Sequence, residues 1–521
     1  MSATKVSVPF HNPFQEGATT TKIAAPCIVV IFGATGDLTR RRLVPALYNL
    51  ARDGQLPAHF CCVGFARRPK SDAEFRKEMY GAINEFSRVK PVDENLWKSF
   101  GEQLFYHQSE FDEDEGYETL AKQLQDLDVQ FGTKGNRVYY FSTQPRYFPT
   151  LVKKLKKHGL IYPHGGDNSS GPWSRIIFEK PFGHDLPSAI ALQDQISKYL
   201  DESQTYRIDH WLGKETVQNL LVFRFTNPIF EALWNRHHID HVQIAVAEDL
   251  GVGTRGALWE EQGMLRDIVQ NHMMQLLSLI AMEPPSKLDA EAIRDEKVKV
   301  ISSITPISAQ EFDKCVVRGQ YGPGMINGKD VCGYRQEANV SATSAIETFV
   351  ALKLHIDNWR WAGVPFYLRS GKRLPKKVTE IAITFKEAPG HLYQEKGRPN
   401  PSNVLAIRIQ PDENISLTTN CKVPGQENLV HPVRMDFRYN AYFGAAQQEA
   451  YERLICDCMA GDSTLFARDD EVQASWRLLT PILERWQATK PANFPNYPAG
   501  KWGPLEAEAM MAADGRQWRL L

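Results

Sequence analysis

The feature that most constrains this chain is a buried strand that runs straight into a glycine turn. Cys27-Ile-Val-Val-Ile-Phe32 is six consecutive apolar residues, and Gly33-Ala-Thr-Gly36-Asp37-Leu38 follows without a gap. An unbroken, β-branched run of that length reads as a strand covered on both faces, which belongs in a parallel sheet flanked by helices. A glycine turn that then opens a helix aims backbone N–H groups and the positive helix end at one point, where a pyrophosphate fits. Against the usual G-x-G-x-x-G spacing, Ile31 occupies the first glycine position, so the match is G-x-x-G only. A tight βα turn with no ligand has the same spacing.

The pattern recurs at Phe60-Cys-Cys-Val-Gly-Phe65, at 137–141 and at 175–178, with polar, helix-like stretches between. Alternation of this kind predicts an α/β domain with a Rossmann-like doubly wound parallel sheet over 27–208. Past about residue 209 the texture changes to one long apolar helix pattern, 263–281, followed by strand-like runs at 380–385, 404–409 and 433–437. Those runs lack βα alternation, so 209–521 is expected to be a larger α+β domain with a mainly antiparallel sheet, joined to the first near 206–210. Residues 1–26, rich in Thr, Ala and Pro, read as a flexible N-terminal arm, and 386–402 as an excursion between strands.

At 521 residues, one small module is excluded. Lys and Arg number 61 against 62 Asp and Glu, a net charge of −1, so no overall field draws the chain to nucleic acid or to an anionic membrane. No run of 18 apolar residues occurs. The eight cysteines are scattered without a C-x-x-C metal spacing, which predicts no metal site and suits a reducing, cytoplasmic setting. The end, Trp518-Arg519-Leu520-Leu521, does not match a peroxisomal address.

Several groups carry possible chemistry. After the second strand, where an NAD enzyme often has an acidic residue, stands Ala66-Arg67-Arg68; guanidiniums suit the 2′-phosphate of NADP, although a solvated surface pair looks the same. Glu179-Lys180-Pro181-Phe182-Gly183 lies at the carboxyl end of a strand, which turns Lys180 toward the cleft. His210 and Lys214 are four apart and, if helical, share a face able to hold a phosphate; an exposed helical turn is the alternative. His272 sits on the apolar stripe made by Leu265, Ile268, Val269, Leu276 and Leu279, either as a sheltered base or as a satisfied core histidine. Asp267, five residues earlier, falls roughly 140° round an α-helix from His272, so the two are expected to meet different substrate atoms.

Taken in order, Gly33–Leu38, Glu179–Gly183, Arg207-Ile-Asp-His-x-Leu-Gly-Lys-Glu215, Asp267–His272 and Gly363-Val-Pro-Phe-x-Leu-Arg-Ser-Gly-Lys372 closely resemble the glucose-6-phosphate dehydrogenase family. The resemblance implies oxidation of β-D-glucose 6-phosphate at C1 to 6-phospho-D-glucono-1,5-lactone with NADP⁺, the first oxidative step of the pentose phosphate pathway. It makes His272 the general base and Asp209 its electrostatic support. His210, Lys214, Lys372 and Lys377 fall on the phosphate side, and Glu248 and Asp267 at the sugar hydroxyls. Gly33, Thr35, Gly36, Asp37, Leu38 and Arg67 would hold the cofactor, with Lys180 between substrate and nicotinamide and a cis bond before Pro181. Homodimers or homotetramers built through the larger domain's sheet are also implied.

The chain departs from the family pattern in places. Trp211 replaces a tyrosine that contacts the phosphate, and indole offers one donor and no acceptor. Lys377 stands for an arginine of some members and Gln144-Pro145 for a Pro-Pro pair. Val378, Ala382 and Thr418 occupy positions where some eukaryotic members hold a second, structural NADP⁺, although Arg408, Gln410 and Trp518 remain, so that second site is expected to be absent or weak. Two rivals share much of this pattern. A silent NADP(H) sensor has no need of Asp209 with His272, and a dehydrogenase of unphosphorylated hexose has no need of His210, Lys214 and Lys372.

Overall fold

The computed structural model describes residues 24–162, 171–388, 400–425, 429–438, 441 and 448–521. All but the last three residues of the 1–26 arm, and 389–399 of the expected excursion, lie outside the described residues. In the first half, β1 (Cys27–Phe32), β2 (Phe60–Ala66), β3 (Leu104–Gln108), β4 (Arg137–Phe141), β5 (Ser174–Phe178) and β6 (Thr205–Ile208) pair in parallel in the order 3-2-1-4-5-6. Every residue of β1, β2, β4 and β5 is buried, the apolar runs together with the polar starts Arg137 of β4 and Ser174-Arg175 of β5. The strand order reverses between β1 and β4, which opens a crevice beyond their carboxyl ends.

The second half builds an eight-stranded sheet in the order Val430–Arg438, Asn414–Lys422, Val404–Gln410, Val378–Phe385, Ile239–Ala247, Pro365–Gly371, Phe349–His355, Val316–Gly319. Only Ile239–Ala247 with Pro365–Gly371 pairs in parallel; the other neighbours are antiparallel, as expected. The chain also crosses back. Phe466–Ala467 adds an antiparallel edge to β6, and the guanidinium of Arg175 in β5 donates to the carbonyls of Cys458 and Met459 in the helix Ala450–Ala460. A segment far beyond residue 209 therefore completes the first sheet.

The long helix expected over 263–281 is three pieces. Gly256–Met264 ends at a kink where Gly263 has φ 65° and ψ −179°, Leu265–Met273 is a π-helix, and Met274–Ala281 is α-helical. A Cβ on Gly263 would come within 2.4 Å of the Glu347 carboxylate, whose Oε1 accepts from the Leu265 N–H at 3.1 Å. Glycine is thus needed both for the backbone and for the space. Among the described residues, no helix is long and apolar enough to cross a membrane.

Candidate active site

The crevice above β1 is shaped by the glycine turn. Gly33 has φ +84°, and a Cβ there would lie 2.2 Å from the Ser142 carbonyl oxygen beyond β4. Its N–H donates to Phe65 O at 2.9 Å, and Gly36 N–H returns to Gly33 O at 2.9 Å. Gly36 and Asp37 are exposed at the mouth, Thr35 and Leu38 half-buried. The helix opens at Asp37, directly after Gly36, and its first internal bond runs from Arg40 N–H to Gly36 O at 3.3 Å, so the helix N-terminus stands at the mouth of the crevice. Arg67 and Arg68 follow the end of β2, both exposed. A dinucleotide fits this set: a glycine turn that leads into a helix N-terminus for the pyrophosphate, guanidiniums for a 2′-phosphate.

Below the crevice lies the acid–base cluster. β6 ends at Ile208, which places Asp209 at its carboxyl terminus. Asp209 Oδ1 accepts from His272 Nδ1 at 2.6 Å and from the Trp211 N–H at 2.9 Å. On the other side of the ring, Lys180 Nζ lies 3.1 Å from His272 Nε2. That ammonium also donates to Asp267 Oδ1 at 2.8 Å and to Asp267 O at 2.9 Å. Trp211 stacks flat on the imidazole, with centroids 4.7 Å apart and planes at 5°, and His210 meets it edge-on at 4.8 Å. The bond before Pro181 is cis.

Asp267 and His272 therefore share a partner, contrary to the 140° expectation. A π-helix bonds i to i+5 and stacks residues five apart, whereas an α-helix turns them away from each other. His210 and Lys214 depart as well. They sit in a turn that precedes the helix Glu215–Thr226 and share no helical face. Lys214 Nζ reaches Gln410 Oε1 at 2.5 Å and lies 4.9 Å over the Trp211 ring, while His210 stacks on Tyr451 with planes at 6°. Lys372 is buried, paired with Glu248 and 4.5 Å over Trp259. Lys377 is exposed but close enough for its charge to act on Lys214.

Electrostatics favour neutral imidazoles at the centre of the cluster. Burial lowers the His272 imidazole below its ordinary range, Asp209 opposes that, and Lys180 adds to it. Burial by itself would raise Asp209, yet the interactions with His272 and His210 hold its carboxyl well below the usual range. Burial also drives His210 well below normal. Burial and the nearby Lys377 bring Lys214 down to about 8. Both nitrogens of His272 are engaged, and the ammonium beside Nε2 repels a metal ion, although Asp209, His210 and His272 gather within 4.8 Å.

Sequence reasoning passed over several participants. Glu179 is half-buried, its carboxyl pushed up to about 6 by loss of water around it, and takes hydrogen bonds from Tyr140 at 2.6 Å and from Tyr451. Tyr451 arrives from a distant segment and leaves no local signal, and Gln410, expected only beside a second dinucleotide, turns instead to Lys214; Glu179 is the first residue of the Glu179–Gly183 motif. A cavity of about 720 Å³, lined in part by Pro145, Lys180, Pro181, Gly183 and Asp267, opens beside the cluster.

A doubly wound sheet with an anion-ready turn, next to a carboxylate-supported histidine, defines a nicotinamide-dinucleotide dehydrogenase. Comparison sharpens this. Residues 30–219 match the family model described as glucose-6-phosphate dehydrogenase, NAD binding domain, and residues 221–519 the one described as its C-terminal domain. The chain is 54% identical to the glucose-6-phosphate 1-dehydrogenase of Chlamydia pneumoniae over 97% of this chain and 98% of that one. With the Bacillus subtilis enzyme of the same name, identity is 44% over 94% and 98%. A solved glucose-6-phosphate dehydrogenase in complex with its substrate superposes with a TM-score of 0.85 at 34% identity, covering 96% of this chain and 100% of that one. The chain belongs to the glucose-6-phosphate dehydrogenase family.

Proposed function

We propose that the chain oxidises β-D-glucose 6-phosphate at C1 to 6-phospho-D-glucono-1,5-lactone with NADP⁺, the first oxidative step of the pentose phosphate pathway. The observation that carries the reading is the Asp209–His272–Lys180 chain of contacts. Because His272 Nδ1 donates to Asp209, the lone pair is on Nε2, the nitrogen beside Lys180, and Lys180 itself lines the cleft. Nε2 takes the proton of the C1 hydroxyl, and the Asp209 carboxylate stabilises the imidazolium that forms. Bound NADP⁺ supplies the acceptor for the hydride that leaves C1. Lys180, held by Asp267, keeps a positive charge at the junction of sugar and nicotinamide. Lys214, His210, Lys372 and Lys377 bind the phosphate, and Glu248 and Asp267 accept from sugar hydroxyls. Gly33, Thr35, Gly36, Asp37 and Leu38 cradle the pyrophosphate, with Arg67 on the 2′-phosphate.

A cytoplasmic setting and a homodimer or homotetramer belong to the same reading. The exposed strand Val430–Arg438, with Val433 43% and Met435 53% accessible, supports association through the larger sheet. The test follows formation of reduced nicotinamide with glucose or glucose 6-phosphate and with NADP⁺ or NAD⁺. Turnover is expected with the phosphorylated sugar and NADP⁺. Equal rates with glucose would refute the phosphate assignments. Arg67→Ala should narrow the ratio of kcat/KM for NADP⁺ over NAD⁺, and an unchanged ratio would show that another group reads the 2′-phosphate.

A further inference from the structure

A second cavity, of about 10 Å³, adjoins Asp209. Asp209, Gln270, Gln275 and Glu471 contribute its polar wall, and Ile301 and Val472 part of its apolar wall. Three oxygens of those residues, Asp209 Oδ2, Gln270 Oε1 and Gln275 Oε1, are buried and receive no hydrogen bond from any described residue. The residues that carry them are only 4%, 3% and 6% accessible. Glu471 Oε1 is the exception on that wall: Lys297 Nζ stands 3.0 Å away and neutralises it.

An ionised carboxylate oxygen buried without a donor is costly, more so than a neutral group in the same position. Here the want is specific: three residues that line one cavity each carry an acceptor without a donor, and that cavity has the size of a single water. We infer that this cavity is a binding site for one internal water, which donates one O–H to Asp209 Oδ2 and shares the other between the Gln270 and Gln275 oxygens, and so anchors the Asp209 carboxylate. A water suits the site better than a cation because it brings two O–H donors in that volume and adds no charge beside Lys297. Gln270 and Gln275 then act as positioning residues. They orient the water, the water fixes Asp209, and Asp209 fixes the tautomer and plane of His272. Gln270 is tied in turn to Ser475 of the helix Asp469–Ala488 at 2.9 Å, so that helix supports the cluster through the same site.

The kinetic part of this inference rests on the dehydrogenase reading; the structural part does not. A high-resolution crystal structure of the full chain should show one density peak within hydrogen-bond reach of Asp209 Oδ2 and of Gln270 or Gln275. A dry cavity would overturn the inference, as would a peak with the short, many-oxygen coordination of a metal ion. Gln275→Leu should lower kcat by about tenfold, the scale of one hydrogen bond to a charged group, with KM for both substrates unchanged. Val472→Leu, which fills the space without touching a polar group, should expel the peak and lower kcat in the same sense. In an Asp209→Asn background, Gln275→Leu should change the residual rate by less than about twofold, because coupling vanishes once the partner is altered. An equal loss in both backgrounds would make Gln275 a packing residue and sink the water bridge.

Discussion

Three influences meet at the His272 ring: the shelter of the helix bundle, the carboxylate on Nδ1 and the ammonium near Nε2. Shelter and ammonium together outweigh the carboxylate, so the imidazole stays neutral to lower pH than a free histidine. The acid limb of kcat/KM should therefore fall below about pH 6.5, the ordinary histidine value. His272→Asn should lower kcat at least about 100-fold with little change in KM, the signature of a lost general base. If turnover survives, another group takes the proton. Lys180→Gln removes a charge that lowers the imidazole, so the acid limb should move up as the rate falls; a fixed limb would place the ammonium elsewhere in the working enzyme. Lys214 gives a second, separable pH effect. With its ammonium at about 8 it loses charge as pH rises through that value, so KM for glucose 6-phosphate should climb above about pH 8. Lys377→Gln removes a repelling charge and should shift that climb to higher pH. The individual residues were largely legible in the sequence because each lies in a short motif. Their pairings with Tyr451 and Gln410 were not, since a contact made across the fold leaves no spacing to read.

The element that organises these residues is the broken helix 256–281. Its burial was readable from its apolar residues, but a single apolar face was not what formed: every residue from Ile268 to Ala281 is buried. The widening was not readable, and it matters: i-to-i+5 bonding brings Asp267 round to share Lys180 with His272. Gly263 sets the start of the widened turn, and Glu347 fills the space a side chain would need. Gly263→Ala should thus cost about 1–3 kcal/mol of stability for the strained backbone, read as a lower Tm. It should also lower kcat more than it raises KM, because the displaced turn carries both Asp267 and His272. Loss of stability with kcat intact would show that the kink serves folding alone. Strands were easier to foresee than this helix. β1 and β2 announce themselves as apolar runs, while β3, Leu-Phe-Tyr-His-Gln at the sheet edge and partly exposed, carries no such run.

For the molecule as a whole, the two-sheet plan could be read from the change in texture near residue 209, but the return of 450–467 to the first sheet could not, because a two-residue edge strand has no pattern of its own. The C-terminal tail poses the remaining question, that of a second dinucleotide. Around Arg408, where basic groups would have to meet phosphates, the cations are committed to protein. Arg408 and Arg519 bracket the buried Glu380 carboxylate at 2.9 and 2.8 Å. Arg369, itself buried, lies 5.0 Å over Trp502 and 4.5 Å over Trp518. The tail backbone is pinned by Gln243, which donates to Gln517 O at 3.1 Å and accepts from Arg519 N–H at 2.9 Å. Val378 and Ala382 are buried apolar side chains that offer a phosphate nothing. Since phosphate binding depends on charge-assisted donors that are free to turn toward it, titration calorimetry with NADP⁺ should give one site per chain. Arg408→Ala should leave that affinity within about twofold, because surface-distant substitutions are close to additive with the site they do not touch, while lowering Tm by unpairing one side of Glu380. A stoichiometry of two, with the weaker site lost in Arg408→Ala, would show that the tail yields to the nucleotide.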